Sequence, residues 1–315
     1  MVVCAFHPRS CRWLGRPAHH HWQLLVAWRV RRSVSQPLRN AAYHTSHRVM
    51  HAALPLLLLS LCAAAAAPGQ EPPPQGHCAT PGAPSFLAAG LAIGVDKVTQ
   101  LAAPHGPDGH FYGPAYAKYL SPLQNRSASR LLEIGLGCDS WYGPGRSVAL
   151  WRAYLPCAHV SVIEVDAACA QRTNTADVTY VLDQGNEAAL RQLAATTAPY
   201  DAVIDDGSHL ASHQVGSLRA LWPAVAPGGA YFLEDLSTSF VDGYIDALPT
   251  AWEVLAAIMR LRLFPQPEGQ RRAGIGLSSG VPPWVRDVAA SVESVDCFEE
   301  LCVLVKKGGA ARLGA

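Results

Sequence analysis

RLLEIGLGCDSWYGPGRS, residues 130–147, passes from a short apolar run into two closely spaced glycines and a Gly-Pro loop, the pattern of a buried strand that turns sharply before a helix. The pattern recurs outward from it. HVSVIEVD (159–166) follows a helical stretch over roughly 146–155, and TYVLDQ (179–184) follows a helix starting near Ala167. YDAVIDDGSH (200–209) and AYFLEDL (230–236) read as a fourth and fifth strand. Between them lies ASHQVGSLRALWPAVAPGG (211–229), where Val215, Leu218, Leu221 and Val225 keep helical spacing up to a Pro-Gly-Gly stop. Such alternation predicts an α/β domain, a parallel sheet flanked by helices. Further on, TAWEVLAAIMRLRL (250–263) reads as an amphipathic helix and QPEGQRRAGIGLSSGVPP (266–283) as a loop. SVESVDCFEELCVLVKK (291–307) reads as a closing hairpin with a short acidic turn. One domain over roughly 96–308 accounts for all of this, with a short tail at 309–315.

The chain has 315 residues, half of them hydrophobic and 16% charged, which excludes a disordered chain and a disulfide-stapled miniprotein. Its net charge of +1 hides an asymmetry: residues 1–49 hold eight arginines, no lysine and no acid, and the first acid is Glu71. The remainder carries 17 basic against 24 acidic groups and is therefore about −7. An acidic body lacks the clustered cations that a phosphate backbone requires, so no nucleic-acid partner is expected.

Met50 and His51 lead into AALPLLLLSLCAAAAA (52–67), too short and too interrupted by Pro and Ser for a membrane span of about 20 residues. Residues 50–67 read as a signal-peptide-like segment ending in small residues suited to cleavage. A Pro-rich linker over 68–95 follows, containing EPPPQGHCATPGAP (71–84). The expectation is processing near Pro68 and delivery to the secretory lumen or outside the cell. Residues 1–49 admit two readings: an upstream artefact if translation starts at Met50, or an organelle-targeting or membrane-anchoring extension. Six cysteines follow Pro68 (Cys78, Cys138, Cys157, Cys169, Cys297 and Cys302), an even number that permits disulfides without requiring them. Asn125-Arg126-Ser127 is an N-glycosylation triplet.

In an open parallel sheet the ligand crevice lies beyond the carboxyl ends of the strands, where strand order reverses. There the first strand delivers Glu133, Gly135 and Gly137, and the second delivers Glu164 and Asp166, a carboxylate where a ribose diol would sit. A dinucleotide fingerprint would place a third glycine where Ser140 stands and an acid about 20 residues on, whereas Asp166 is 29 residues after Gly137.

LLEIGLG, VIEVD, LDQ, YDAVIDDGSH and APGGAYFLEDL, in this order, resemble the class I S-adenosylmethionine-dependent methyltransferases. Within that class, DDGSH followed by GGAYFLEDL is similar to the macrolide-sugar O-methyltransferase branch. The upstream GVDKVTQ (94–100) and HFYGPAYAKYL (110–120) are similar to the Asp-Lys and Tyr-rich approach to the first strand in that branch. The resemblance implies a Rossmann-like, seven-stranded, mostly parallel sheet with helices on both faces and a reversed last strand. It implies that Glu133, Gly135 and Gly137 border the methionine and ribose of S-adenosylmethionine, that Asp166 holds the ribose hydroxyls with Glu164 as fallback, and that Asp183 and Gln184 flank the adenine. Asp205 is counted with the cofactor-binding residues. The chain departs from the family turn at Asp139, where a third glycine is usual.

Asp205 and Asp206 are consecutive, so their side chains are expected on opposite faces with one reaching the crevice. If the fourth and fifth strands are neighbours, as the resemblance implies, Asp206, Glu234 and Asp235 converge on one hard cation, with Mg2+ the best match to oxygen ligands. Acids at strand ends also cap helices, the plainer reading of each taken alone. His209, three residues past Asp206, is the candidate general base, because imidazole titrates close to neutrality; its plainer reading is a helix-start hydrogen bond. His213 stands four residues on, and without an HExxH pattern it reads as structural. Tyr112, Tyr116 and Tyr119 have the spacing of a buried helical stripe, while Trp141 and Tyr142 are candidate acceptor contacts. The expected function is metal-assisted O-methylation of a sugar or other polyhydroxylated small molecule or glycan. The alternative is a non-catalytic protein that keeps the fold and binds the cofactor. Nothing in the pattern sets an oligomeric state.

Overall fold

The computed structural model describes residues 82–98, 102–103, 106–107, 109–173, 175–197, 199–263 and 280–308. Segments 1–49 and 50–67, most of the linker and the 309–315 tail lie outside the described residues. One sheet contains seven strands: β1 (Arg130–Ile134), β2 (His159–Glu164), β3 (Val178–Val181), β4 (Tyr200–Asp205), β5 (Val225–Leu233), β6 (Val292–Cys297) and β7 (Cys302–Lys306). Their order across the sheet is β3-β2-β1-β4-β5-β7-β6. The first five run parallel, β7 is antiparallel to β5, and β6 is antiparallel to β7. The expected mostly parallel sheet and the closing hairpin are both present.

The central strands read as unbroken apolar runs because both faces of the sheet are covered. Neighbours such as Leu131 and Leu132 point to opposite sides and are both buried. Leu132, Val203 and Tyr231 pack against α5 (Glu187–Thr197), α6 (Ala211–Leu221), α7 (Ala251–Leu263) and α8 (Pro283–Ser291) through Leu190, Leu218, Leu255 and Val285. Leu131, Ile204 and Phe232 pack on the other face, against α1 (Phe86–Ile93), α2 (Gly113–Leu120) and α3 (Arg146–Tyr154) through Phe86, Tyr116 and Trp151. The short helix α4 (Ala167–Thr173) adds Cys169 to that face.

Three boundaries differ from the sequence expectation. The linker expected over 68–95 already contains α1: Ser85 caps its amino end by accepting from the Ala88 amide, and Gly94 closes it in the left-handed conformation. The domain therefore begins before residue 96. The helix expected to run on toward Pro227 ends at Leu221, where Trp222–Ala224 tightens into a 3-10 turn around Pro223, and the Pro-Gly-Gly run already lies in β5. Finally α8 was hidden behind the Pro- and Gly-rich stretch preceding it, and β6 starts only at its end.

Two disulfides join described residues. Cys138–Cys169 ties the loop after β1 to α4, and Cys297–Cys302 closes the β6–β7 hairpin.

Candidate active site

β1 lies between β2 and β4, so the crossovers leave it in opposite directions and the crevice opens at the carboxyl ends of β1 and β4. Ile134 is in register with Asp205, which brings Gly135 against the turn after β4. Gly135 has φ +99°, and a Cβ there would lie 2.1 Å from the Asp206 carbonyl oxygen. Gly137 has φ +69° and passes close to Ser140. The glycines thus let two chain segments meet at the crevice floor.

The other residues expected around the cofactor divide into two groups. Glu133 is fully buried; its Oε2 accepts from the Ser147 hydroxyl at 2.8 Å, and its Oε1 has no hydrogen-bond partner. Burial pushes its carboxyl up to about 7. Asp166 is exposed and accepts the Ala168 and Cys169 amides with Oδ1, capping α4. Glu164, the fallback, is buried and takes the Leu136 and Asp166 amides on its two oxygens, so it braces the glycine turn. Asp183 is exposed and accepts the Gly185 amide.

Gln184 and Asp205, by contrast, are turned inward. Gln184 Nε2 donates to Asp205 Oδ1 at 2.7 Å and to Ser217, while its Oε1 accepts the Ser208 amide. Tyr231 donates to Asp205 Oδ2, and burial pushes the Asp205 carboxyl up to about 7. This pair holds the turn after β4 from behind, with both side chains engaged inside the fold, although the resemblance places Gln184 beside the adenine and Asp205 is counted with the cofactor-binding residues. The two consecutive acids do split, with Asp205 fully buried and the Asp206 side chain 25% exposed. His213 Nδ1 meets the Ser208 hydroxyl at 2.7 Å in the same bracing network.

At the crevice, Asp206, His209 and Asp235 each offer a donor atom within 4.8 Å of the others. His209 Nε2 is 3.4 Å from Asp235 Oδ2 and 3.9 Å from Asp206 Oδ1, and His209 Nδ1 is buried without a partner. His209 and Asp235 are both left-handed, at φ +59° and +53°. Such backbone costs a non-glycine residue about 1–2 kcal/mol, and here it turns the two side chains toward each other. Glu234, expected as a third ligand, does not join them.

Its place is explained by a residue the sequence reading left without a role. Lys97, fully buried, sets its Nζ 2.6 Å from Asp206 Oδ2 and 2.8 and 2.7 Å from the two Glu234 oxygens. The Tyr116 hydroxyl also donates to Glu234. Burial pushes the Lys97 ammonium toward neutrality, but Asp206 and Glu234 outweigh it and hold it well above its ordinary value. Burial and Asp206 together push the Glu234 carboxyl up. Tyr112 and Tyr116 are core residues, as their spacing suggested, yet their hydroxyls end in the site: Tyr112 donates to Asp235 Oδ1 at 2.9 Å. The signal in the sequence was the Asp-Lys pair and the Tyr spacing quoted above; their acidic partners lie over a hundred positions away.

The residues present fit both groups the fold implies. A sulfonium cofactor needs a close backbone cradle and an acceptor for its ammonium; Gly135, Gly137 and Glu133 Oε1, which accepts no hydrogen bond and lies 3.9 Å from Lys97 Nζ, supply these. A hard cation needs oxygens not already engaged; Asp206 Oδ1 and Asp235 Oδ2 face His209 from either side, while Lys97 covers Glu234.

Strand order, glycine turn and reversed hairpin together are the fold of the class I S-adenosylmethionine-dependent methyltransferases, and the sequence likeness runs to their macrolide O-methyltransferase branch. The chain is 37% identical over 175 residues to the 8-demethyl-8-alpha-L-rhamnosyl tetracenomycin-C 2'-O-methyltransferase of Streptomyces olivaceus, covering 54% of this chain and 44% of that protein. It is 34% identical over 139 residues to the demethylmacrocin O-methyltransferase of Streptomyces fradiae, covering 43% and 34%. The chain therefore spans less than half the length of these curated relatives. Among solved structures it resembles the MycE methyltransferase of the mycinamycin biosynthetic pathway in complex with Mg and SAH (TM-score 0.56, 22% identity, 74% of this chain and 57% of that one), which supports the fold. No protein-family model matches the chain.

Proposed function

We propose that the protein is an S-adenosylmethionine-dependent, metal-assisted O-methyltransferase acting on a hydroxyl of a sugar or other polyhydroxylated acceptor. The observation that carries this is the convergence of Asp206, His209 and Asp235 at the carboxyl ends of β4 and β5, beside the glycine turn of β1. When bound, S-adenosylmethionine supplies the methyl group, and Mg2+ lowers the pKa of a hydroxyl beside it. Asp206 and Asp235 would hold the cation; Lys97 keeps Glu234 and the other Asp206 oxygen neutralised behind them. His209 Nε2, facing the gap between Asp206 and Asp235, would take the acceptor's proton. Glu133, Gly135, Gly137 and Asp166 would seat the cofactor. The name of the Streptomyces olivaceus relative, a methyltransferase of a rhamnosyl tetracenomycin, supports a glycosylated small molecule as acceptor.

His209→Ala is expected to leave S-adenosylhomocysteine affinity nearly unchanged by calorimetry while turnover falls about 10²- to 10⁴-fold. Unimpaired turnover would remove His209 as the base.

A secretory-lumen location with signal-peptide processing is the cellular reading we favour. The Cys138–Cys169 and Cys297–Cys302 disulfides suit an oxidising compartment, and Asn125 is exposed in a turn before β1, open to glycosylation. Among the described residues no helix is long and apolar enough to cross a membrane. Recovery of the native protein from the cytosol alone would overturn this location, and with it glycan modification in a lumen.

A further inference from the structure

Asp235 shares in a second cluster, with His110 and Glu300. His110 Nε2 lies 3.5 Å from Asp235 Oδ1, and His110 Nδ1 lies 2.9 Å from Glu300 Oε2. The His110 ring is stacked on Tyr112 at 4.7 Å between centroids, and its backbone amide donates to Asp96, next to Lys97. Glu300 sits at the tip of the β6–β7 hairpin, between the bridged Cys297 and Cys302, and its carbonyl accepts the Leu236 amide, one residue past Asp235. Four residues form one line: Glu300, His110, Asp235, His209. Four described non-glycine residues have φ between +50° and +65°, and three of them, His209, Asp235 and Glu300, belong to this line. Unfavourable backbone at three linked positions points to a geometry maintained for use.

We propose that His110, braced by Glu300, is a positioning residue that fixes the Asp235 carboxylate with Oδ2 toward His209, so that divalent-cation affinity depends on a hairpin tip that carries no cation ligand. Tyr112 and His110 occupy Oδ1 from one side, which leaves Oδ2 as the oxygen turned to the crevice. Partners that orient a ligating carboxylate typically change metal affinity about 10- to 100-fold when removed. The inference rests on the reading that Asp206 and Asp235 hold a divalent cation.

The test uses the full chain, titrated calorimetrically with manganese chloride and, separately, with S-adenosylhomocysteine. His110→Ala is expected to weaken manganese binding about 10-fold or more, with cofactor affinity unchanged. His110→Gln, whose amide nitrogen can reach Asp235, should recover part of the loss. Glu300→Gln alters an exposed side chain, so it tests the same link without disturbing the core and should weaken manganese binding several-fold. Manganese affinity equal to wild type in folded Glu300→Gln and His110→Ala would overturn the inference. Two manganese ions per wild-type chain, reduced to one in His110→Ala, would overturn it as well, because His110 would then be a ligand. Absence of manganese binding by the wild type would instead bring down the metal-assisted reading itself.

Discussion

At Gly135 the chain has no room for a side chain. The atom that a Cβ would strike is a backbone oxygen, so neither side can yield by changing rotamer. Gly135→Ala is expected to cost about 2–4 kcal/mol in denaturant unfolding and to weaken S-adenosylhomocysteine binding, because relief requires the β1 turn and the Asp206 segment to separate. Gly135 was legible in the sequence as a turn glycine, and the direction of the clash was not. Lys97 shows the opposite case. A lone lysine in a turn reads as solvated, and only its burial among three acids turns it into the counter-charge of the site. Gln184 and Asp205 were legible as polar residues near strand ends, but backbone periodicity leaves undecided whether such a group faces the ligand or a neighbouring helix.

At the scale of elements, α1 belongs to the domain. Phe86 is buried, stacks on Tyr116 at 5.1 Å and meets Tyr154 edge-on, and Tyr116 in turn donates to Glu234. Phe86→Ala is expected to destabilise the protein by about 3–5 kcal/mol, measured by chemical denaturation, whereas a linker residue would show almost no effect. The pairing of β2 with β3 has its own marker. Asp177 accepts the Val160 amide at 2.7 Å and pairs with Arg152. Burial pushes its carboxyl up, but the amide and the guanidinium outweigh it and hold it below the usual range. A folded-state pKa below the unfolded one means stability that is present above the unfolded value and lost as pH falls through the folded one. Asp177→Asn should therefore lower stability by about 1 kcal/mol near neutrality, and the gap should close as pH drops below about 4. Equal denaturation midpoints at pH 7 would count against this account.

At the scale of the molecule, the two disulfides that join described residues constrain different things. Cys138–Cys169 spans 31 positions and crosses from the glycine loop to α4, while Cys297–Cys302 spans five and closes a hairpin. The chain-entropy model assigns more to the longer loop, about 3–4 kcal/mol against about 2. Replacing the first pair by serines should lower the denaturation midpoint more than replacing the second, measured without reductant. A reversed order would show that the hairpin tip matters to stability beyond its length.

The amino-acid sequence by itself determined the succession of strands and helices, the placing of glycines and acids at strand ends, and hence the class of sheet and the end at which the crevice opens. These follow from period and turn chemistry within some twenty residues of each position. Only the tertiary structure decided which of those acids meet at the crevice and which are neutralised inside. Lys97 reaches Glu234 across 137 positions and Tyr112 reaches Asp235 across 123. Contacts of that kind depend on the order of strands in the sheet and on which side chain the packing turns inward, and neither is carried by neighbours along the chain.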